Sequence, residues 1–262
     1  MGNYTNRCSA AYNEIAELGF EPVVVNLYGS QNYEMETKNS DFDFKAIVLP
    51  SIDDIIYNRK PVSTTMMFNG GLIDIKDIRL MWDNYKKQNP NFIETLFTPY
   101  FCVNPKYAID WFDIRDLAED IAYADPAKAV KAMYGMALEK QRELCKSHPS
   151  LEELIDKYGY DSKQLSYIIR LYTLALNYIE EEPYRDCLVP NDFVKDLCIR
   201  IKTYNTRLTA EEAQLMAKNY MSCFKVLVDR YLKNEHPVND RAYYAMDVFK
   251  ARIMKKHFRE QL

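Results

Sequence analysis

The first hundred residues alternate short β-branched runs with polar turns, and the rest of the chain shifts to helical spacing. Val23-Val24-Val25-Asn26-Leu27-Tyr28 ends in Gly29-Ser30, and Phe44-Lys45-Ala46-Ile47-Val48-Leu49 ends at Pro50. Their length and boundaries predict two buried strands. Ser63 to Phe68 and Leu72 to Ile75 read as a hairpin about Asn69-Gly70-Gly71, a turn that tolerates positive φ. Asp77 is then the expected N-cap of a helix starting at Ile78. From Ala124-Asp125-Pro126 the period becomes helical, with Asp125-Pro126 opening a segment that continues through Ala127 to Leu144. Asp161 caps the next helix, whose Leu165, Ile168, Ile169, Tyr172, Leu176 and Ile179 form one apolar face before Glu181-Glu182-Pro183 ends it. Pro190-Asn191-Asp192 opens another, Thr209-Ala210-Glu211-Glu212 reads as a capping box for a helix to about Leu232, and the last runs from about Asp240. The pattern predicts an α+β chain. A domain over 1–123 holds a small mixed β-sheet flanked by helices, and a helical domain occupies 124–262.

Composition narrows the class. With 262 residues, of which 48% are hydrophobic, the chain has enough apolar surface for a sizeable core without disulfide staples. No segment approaches the roughly 20 apolar residues that span a bilayer. The polar N-terminus lacks a secretory apolar region, and Gly2 has no serine or threonine at the position myristoylation favours. A cytoplasmic protein without membrane partners is expected. The six cysteines contain no Cys-x-x-Cys pair, and His148, His236 and His257 lie far apart, so buried reduced thiols and no zinc are expected. A net charge of −4 argues against tight nonspecific wrapping of nucleic acid. Arg241, Lys250, Arg252, Lys255, Lys256 and Arg259 face only Asp247 and Glu260 in the final segment, a local excess of four positive charges. That segment reads as a solvated helix, with Tyr243, Tyr244 and Phe249 packing at its rim.

Gly29-Ser30, the Ser40-Asp41-Phe42-Asp43 run and Asp74 carry the candidate chemistry. Glycine lets backbone approach an anion, serine adds a hydroxyl donor, and a helix starting just after them would aim free N–H groups at phosphate. Asp41 and Asp43 are two apart, so on a strand their carboxylates share a face opposite Phe42 and Phe44. Carboxylates about 4 Å apart repel by roughly 4 kcal/mol at an effective dielectric near 20, so the cluster needs cations. Hard oxygen ligands with room for water and phosphate suit Mg²⁺, with Mn²⁺ able to substitute, and a paired-ion clamp suits in-line attack at phosphorus. Asp77 is a rival third carboxylate, but three residues beyond Asp74 it faces the other way on a continuing strand.

Strand, Gly-Ser, strand with Asp-x-Asp, then a later acidic strand resembles the polymerase-β-like nucleotidyltransferase superfamily. More narrowly the chain is similar to predicted nucleotidyltransferases of bacteria and phages, some linked to RNA repair. The resemblance rests on Gly29-Ser30-Gln31-Asn32-Tyr33, Ser40 to Asp43, Asp74 and the segment Asn89-Pro90-Asn91-Phe92-Ile93-Glu94-Thr95-Leu96. It covers about the first hundred residues and, more weakly, Tyr158 to Leu171. Glu34 departs from it, standing where a glycine often follows the tyrosine. The resemblance implies a Mg-dependent transfer of a nucleoside monophosphate from a nucleoside triphosphate to an acceptor hydroxyl, with pyrophosphate released. Asp41, Asp43 and Asp74 would be catalytic and metal-binding, with Asp74 also receiving, or positioning the base that receives, the acceptor proton. Gly29, Ser30, Tyr33 and Ser40 would hold the nucleotide.

On the Asp161 helix, Lys163, Tyr167 and Arg170 fall at i, i+4 and i+7, on the side away from the apolar stripe. Spacing alone describes a solvated face. In the similar nucleotidyltransferases a Gly-Tyr-x-x-Lys segment and a later arginine begin a helix beside the active site, and Gly159, Tyr160, Lys163 and Arg170 match them. The resemblance therefore adds Lys163, Tyr167 and Arg170 to the nucleotide-binding set. The acceptor is left open among an RNA 3′ end, a protein side chain and a small molecule. Two other functions fit the sequence: a noncatalytic nucleotide-binding regulator or toxin-neutralising partner with the same fold, and a helical interaction scaffold with an incidental acidic loop.

Overall fold

A computed structural model describes residues 2–38, 40–149 and 151–259. Glu260 lies outside them. The described chain runs α1 (Gly2–Glu17), β1 (Glu21–Tyr28), β2 (Asp43–Leu49), α2 (Ile52–Ile56), β3 (Ser63–Phe68), β4 (Gly71–Asp77), α3 (Ile78–Lys86), α4 (Pro90–Ile93), β5 (Phe101–Val103), α5 (Ala108–Asp116) and α6 (Ala118–Ala122). It continues with α7 (Pro126–Glu143), α8 (Glu152–Tyr158), α9 (Ser162–Ile179), α10 (Tyr184–Leu188), α11 (Asp192–Lys202), α12 (Ala210–Tyr231) and α13 (Asp240–Phe258). The class is α+β with one mixed five-stranded sheet in the order β3-β4-β2-β1-β5. Only β2 and β4 run parallel; β1 pairs antiparallel with β2 and β5, and β3 with β4.

The sheet's two faces follow from strand alternation. Val25, Leu27, Phe44, Ala46, Val48, Ile73 and Ile75 turn to one face and bury against Cys8, Ala11 and Ile15 of α1. The opposite face presents Asn26 and Tyr28 of β1, Asp43 and Lys45 of β2, and Asp74 and Lys76 of β4. There α3 packs on β2 and β4, and the 94–96 turn packs on β1.

The chain forms two compact units, one over Met1–Asn32, Asn39–Asp125 and Val238–Leu262, the other over Tyr33–Lys38 and Pro126–Pro237. Apart from a boundary two residues later, this division differs from the expected 1–123 and 124–262 at two places. The 33–38 segment groups with the helices because Lys195 pairs with Glu34 at 2.8 Å and Lys202 donates to the Met35 carbonyl at 3.5 Å. Helix α13 groups with the sheet. Its Met246 carbonyl accepts from the Trp82 indole at 2.5 Å, Asp247 pairs with Lys86 at 2.7 Å, and Arg252 is ion-paired to Asp110 and Asp113. The excess of positive charge on α13 is thus partly matched by acids of α5, and Ala242, Met246, Ile253 and His257 are buried. The solvated helix read from the sequence is a docked one.

Local end signals work as the sequence implies. Asp77 caps α3 through Arg79 N–H, Asp161 caps α9 through Lys163 N–H, and Thr209 with Glu212 forms the capping box of α12. Asp77 does more than cap: it is 1% exposed and binds the Arg79 guanidinium through both oxygens, at 2.9 and 2.5 Å. Replacing it with alanine removes a cap and a buried ion-pair partner together, so Asp77→Ala is expected to cost about 2–4 kcal/mol. Urea unfolding measures this; a loss under about 0.5 kcal/mol would remove Asp77 from the structural role.

Candidate active site

The Gly-Ser turn and the Asp-x-Asp run meet at one end of the sheet. Tyr28, the last residue of β1, stands opposite Asp43, the first of β2, so Gly29-Ser30 leaves the sheet where Asp41-Phe42 enters it. Gly29 has φ of +95°, a backbone state that side chains rarely adopt. Ser30–Tyr33 is a single 3₁₀ turn, closed by Asn32 N–H to the Gly29 carbonyl at 2.9 Å. The sequence reading expected a helix here; one turn contributes little macrodipole, so anion affinity at this point falls to the backbone N–H groups and the serine hydroxyl.

Two amides missed from the sequence hold this junction. Gln31 donates to the Asp41 carbonyl at 2.8 Å and accepts from Ser30 Oγ at 3.4 Å, tying the turn to the acidic loop. Asn32, fully buried, donates to the Leu27 carbonyl and accepts from Thr98 Oγ1 at 2.8 Å. Nothing in composition distinguishes these residues from loop polars; only their burial reveals them.

The strand register brings a row of side chains together beside Asp43. Asn26 stands opposite Lys45, which stands opposite Asp74, which stands opposite Thr65. Asp74 is doubly ion-paired, its Oδ2 3.0 Å from Lys45 Nζ and its Oδ1 2.9 Å from Lys76 Nζ. Lys45 is 5% exposed, and its ammonium lies 4.0 Å from the Tyr28 ring centroid and 4.4 Å from that of Phe92. Phe92 belongs to the Asn-Pro-x-x-x-Glu-x-Leu segment, so that segment supplies a wall of the row. Lys76 also donates to Ser63 Oγ at 2.6 Å. The Asn26 amide is fully buried with no hydrogen-bond partner among the described residues, a state that costs about 1–3 kcal/mol.

The acidic residues are differently placed. Asp41 is exposed and Asp43 half-buried, with Asp43 Oδ1 accepting from Leu72 N–H at 3.0 Å. Both offer the hard oxygen donors that suit one Mg²⁺ completed by water and phosphate. Asp74, expected as the third metal ligand, instead carries an ammonium group on each of its oxygens. Among the described residues no group of three His, Cys, Asp or Glu side chains is disposed to hold a metal ion. Ser40 is half-buried and stays next to this loop.

No protein-family model and no curated protein matches the chain. The remaining site residues lie in the helical unit. Arg170 is 3% exposed, with its guanidinium 3.9 Å above the Tyr33 ring and 5.4 Å from that of Tyr167. The face expected to be solvated is therefore covered at Arg170 by the 33–38 segment, because Tyr33 stacks on it. Lys163, one helical turn before Tyr167, is exposed. Glu34 takes φ of +55°, the left-handed state a glycine would supply there, and a hydrogen bond from Lys195 holds its carboxyl below the ordinary range.

The thiols divide unevenly. Cys8, Cys187 and Cys198 are buried, and burial pushes Cys8 up to about 12 and Cys198 to about 11, so neither is a nucleophile at neutral pH. Cys145 and Cys223 are exposed and Cys102 is half-buried, contrary to the expectation of uniformly buried thiols; on α12, Cys223 falls just outside the buried stripe of Met221 and Phe224. No described helix is long and apolar enough to cross a membrane.

Proposed function

We propose that the chain is a nucleotidyltransferase of the polymerase-β-like fold, moving a nucleoside monophosphate from a triphosphate to an acceptor hydroxyl. The observation that carries this reading is the convergence of the positive-φ Gly29, Ser30 and the Asp41–Asp43 loop at one sheet end, cross-tied by Gln31. The strand register sets Asp43 at the end of β1 beside the turn, and the Gln31 hydrogen bond ties the Asp41 backbone to the same turn.

In the proposed reaction the acceptor oxygen bonds to the α-phosphorus and the α–β bridging P–O bond breaks. Pyrophosphate leaves with the bonding pair, and the acceptor proton is released to water. Backbone N–H groups and Ser30 Oγ at the turn hold the outer phosphates. Asp41 and Asp43 would hold Mg²⁺, which supplies charge neutralisation to the phosphates when bound. Gln31 fixes the Asp41 backbone against the turn, so the two halves move together. Phe42, packed against Tyr4 and Arg7 of α1, lies on the apolar side of the sheet, away from the carboxylates. Tyr33, Ser40, Lys163, Tyr167 and Arg170 retain the nucleotide-binding role that the resemblance gives them, with Arg170 and Tyr33 acting by fixing one another.

The test is a labelled-nucleotide transfer screen with each of the four ribonucleoside triphosphates, Mg²⁺ or Mn²⁺, and RNA, protein and small-molecule acceptors. Metal-dependent label transfer with matching pyrophosphate release is the expected result. Metal-dependent triphosphate binding without transfer to any acceptor class would favour the noncatalytic regulator, and absence of nucleotide binding would leave the scaffold reading.

A further inference from the structure

We infer that Lys45 and Lys76 occupy the place of a second metal ion, so that the site takes one divalent cation, on Asp41 and Asp43, and Asp74 serves as the anchor of the two lysines. This rests on the nucleotidyltransferase reading and departs from the paired-ion clamp that reading brings with it. The reason is the pairing of Asp74. A carboxylate has two oxygens, and here Lys45 engages one at 3.0 Å and Lys76 the other at 2.9 Å. A divalent ion on either oxygen would sit beside a fixed positive charge.

Lys45 is enclosed. Its side chain is 6% exposed, the Tyr28 and Phe92 rings face its ammonium, and the parallel register of β2 and β4 sets Lys45 directly against Asp74. Aromatic faces suit a cation there and offer nothing to an anion, so the two rings seat the Lys45 ammonium against Asp74. Lys76 differs. Its side chain is 17% exposed and its other partner is the Ser63 hydroxyl, which places it at the rim of the row and leaves it the better placed of the two to face an incoming phosphate.

For the metal alone, without nucleotide, side-chain charge leads to the same stoichiometry. Three carboxylates and two ammonium groups leave the cluster at −1, which one divalent cation takes to +1 and two would take to +3. Asp43 and Lys45 lie on one face of β2, so the cation-binding carboxylates and the resident ammonium groups form one continuous strip.

Counting bound Mn²⁺ by the loss of its free-ion electron paramagnetic resonance signal, with the full chain and the metal alone, tests this. Wild type is expected to bind one ion per chain. Asp43→Asn should lose that ion, whereas Asp74→Asn should retain it with affinity changed less than about twofold. Lys76→Met should allow a second ion to bind, because one Asp74 oxygen is released. Asp74→Asn and Lys76→Met both alter the rim of the row, so the test does not depend on replacing the caged Lys45. Two ions on wild type, with one lost in Asp74→Asn, would overturn the inference while leaving the nucleotidyltransferase reading intact. No bound ion on wild type, with or without a non-hydrolysable triphosphate, would overturn both.

Discussion

Gly71→Ala is expected to damage stability and the acidic loop together, by about 3 kcal/mol or more, although Gly71 carries no functional group. A Cβ built at Gly71 would lie 2.0 Å from the Phe42 carbonyl oxygen and 2.7 Å from its carbonyl carbon, distances at which backbone must move. Phe42 has little freedom to give way, since its ring packs 5.7 Å from Tyr4 and lies 4.0 Å beneath the Arg7 guanidinium, both on α1. The strain therefore passes to its neighbours, which are Asp41 and Asp43. Gly135 supplies the control: it lies inside α7 with nothing within 4 Å of a Cβ, so Gly135→Ala is expected to stabilise by about 0.5–1 kcal/mol. Thermal unfolding and Mn²⁺ binding of the two variants decide the matter. If Gly71→Ala binds metal and unfolds like wild type, the close approach of hairpin and acidic loop is not a constraint on the site.

Gly71 also marks where reading the sequence stops. The hairpin turn was legible because Asn69 and Gly70 carry their own conformational signal, and both have positive φ. The need for glycine at position 71 was not, because it arises from a strand 29 residues away in the register that sets Asp43 beside Leu72. The same distinction runs through the chain. Caps at Asp77, Asp161 and Thr209 depend on atoms within three residues and were readable. The three-residue β5 and the docking of α13 depend on partners far along the chain and were not. In the site, Gly29, Ser30 and the three aspartates stood out as residue types that chemistry favours. Lys45 did not, since a lysine in an apolar run reads as an edge or snorkelling residue until the register places it against Asp74. That single pairing changes the expected metal content of the site, which shows how far the electrostatics of a cluster depend on residues no motif contains.

Asp43→Asn is expected to reduce nucleotide transfer by about 10³-fold or more while leaving the fold in place. The substitution is close to isosteric. Asparagine Oδ1 can keep the bond that Asp43 Oδ1 accepts from Leu72 N–H at 3.0 Å, so the start of β4 stays tied to β2. What disappears is one negative charge at the sheet end where the metal would bind and, with it, part of the repulsion against Asp41. Stability is thus expected to hold or to rise by less than about 1 kcal/mol. Asp43→Ala separates the two roles, since it removes the charge and the bond to Leu72 at once; it should lose about 1 kcal/mol of stability in addition to activity. A loss of roughly 10³-fold corresponds to about 4 kcal/mol of transition-state stabilisation, too large for a surface carboxylate acting by long-range charge alone and consistent with one that holds a cation against the phosphates. The measurement is single-turnover transfer at saturating triphosphate and fixed Mg²⁺, alongside urea unfolding of each variant. Near-normal transfer by Asp43→Asn under those conditions would remove Asp43 from the metal site and with it the assignment of the Gly29-Ser30 turn as its phosphate-binding partner.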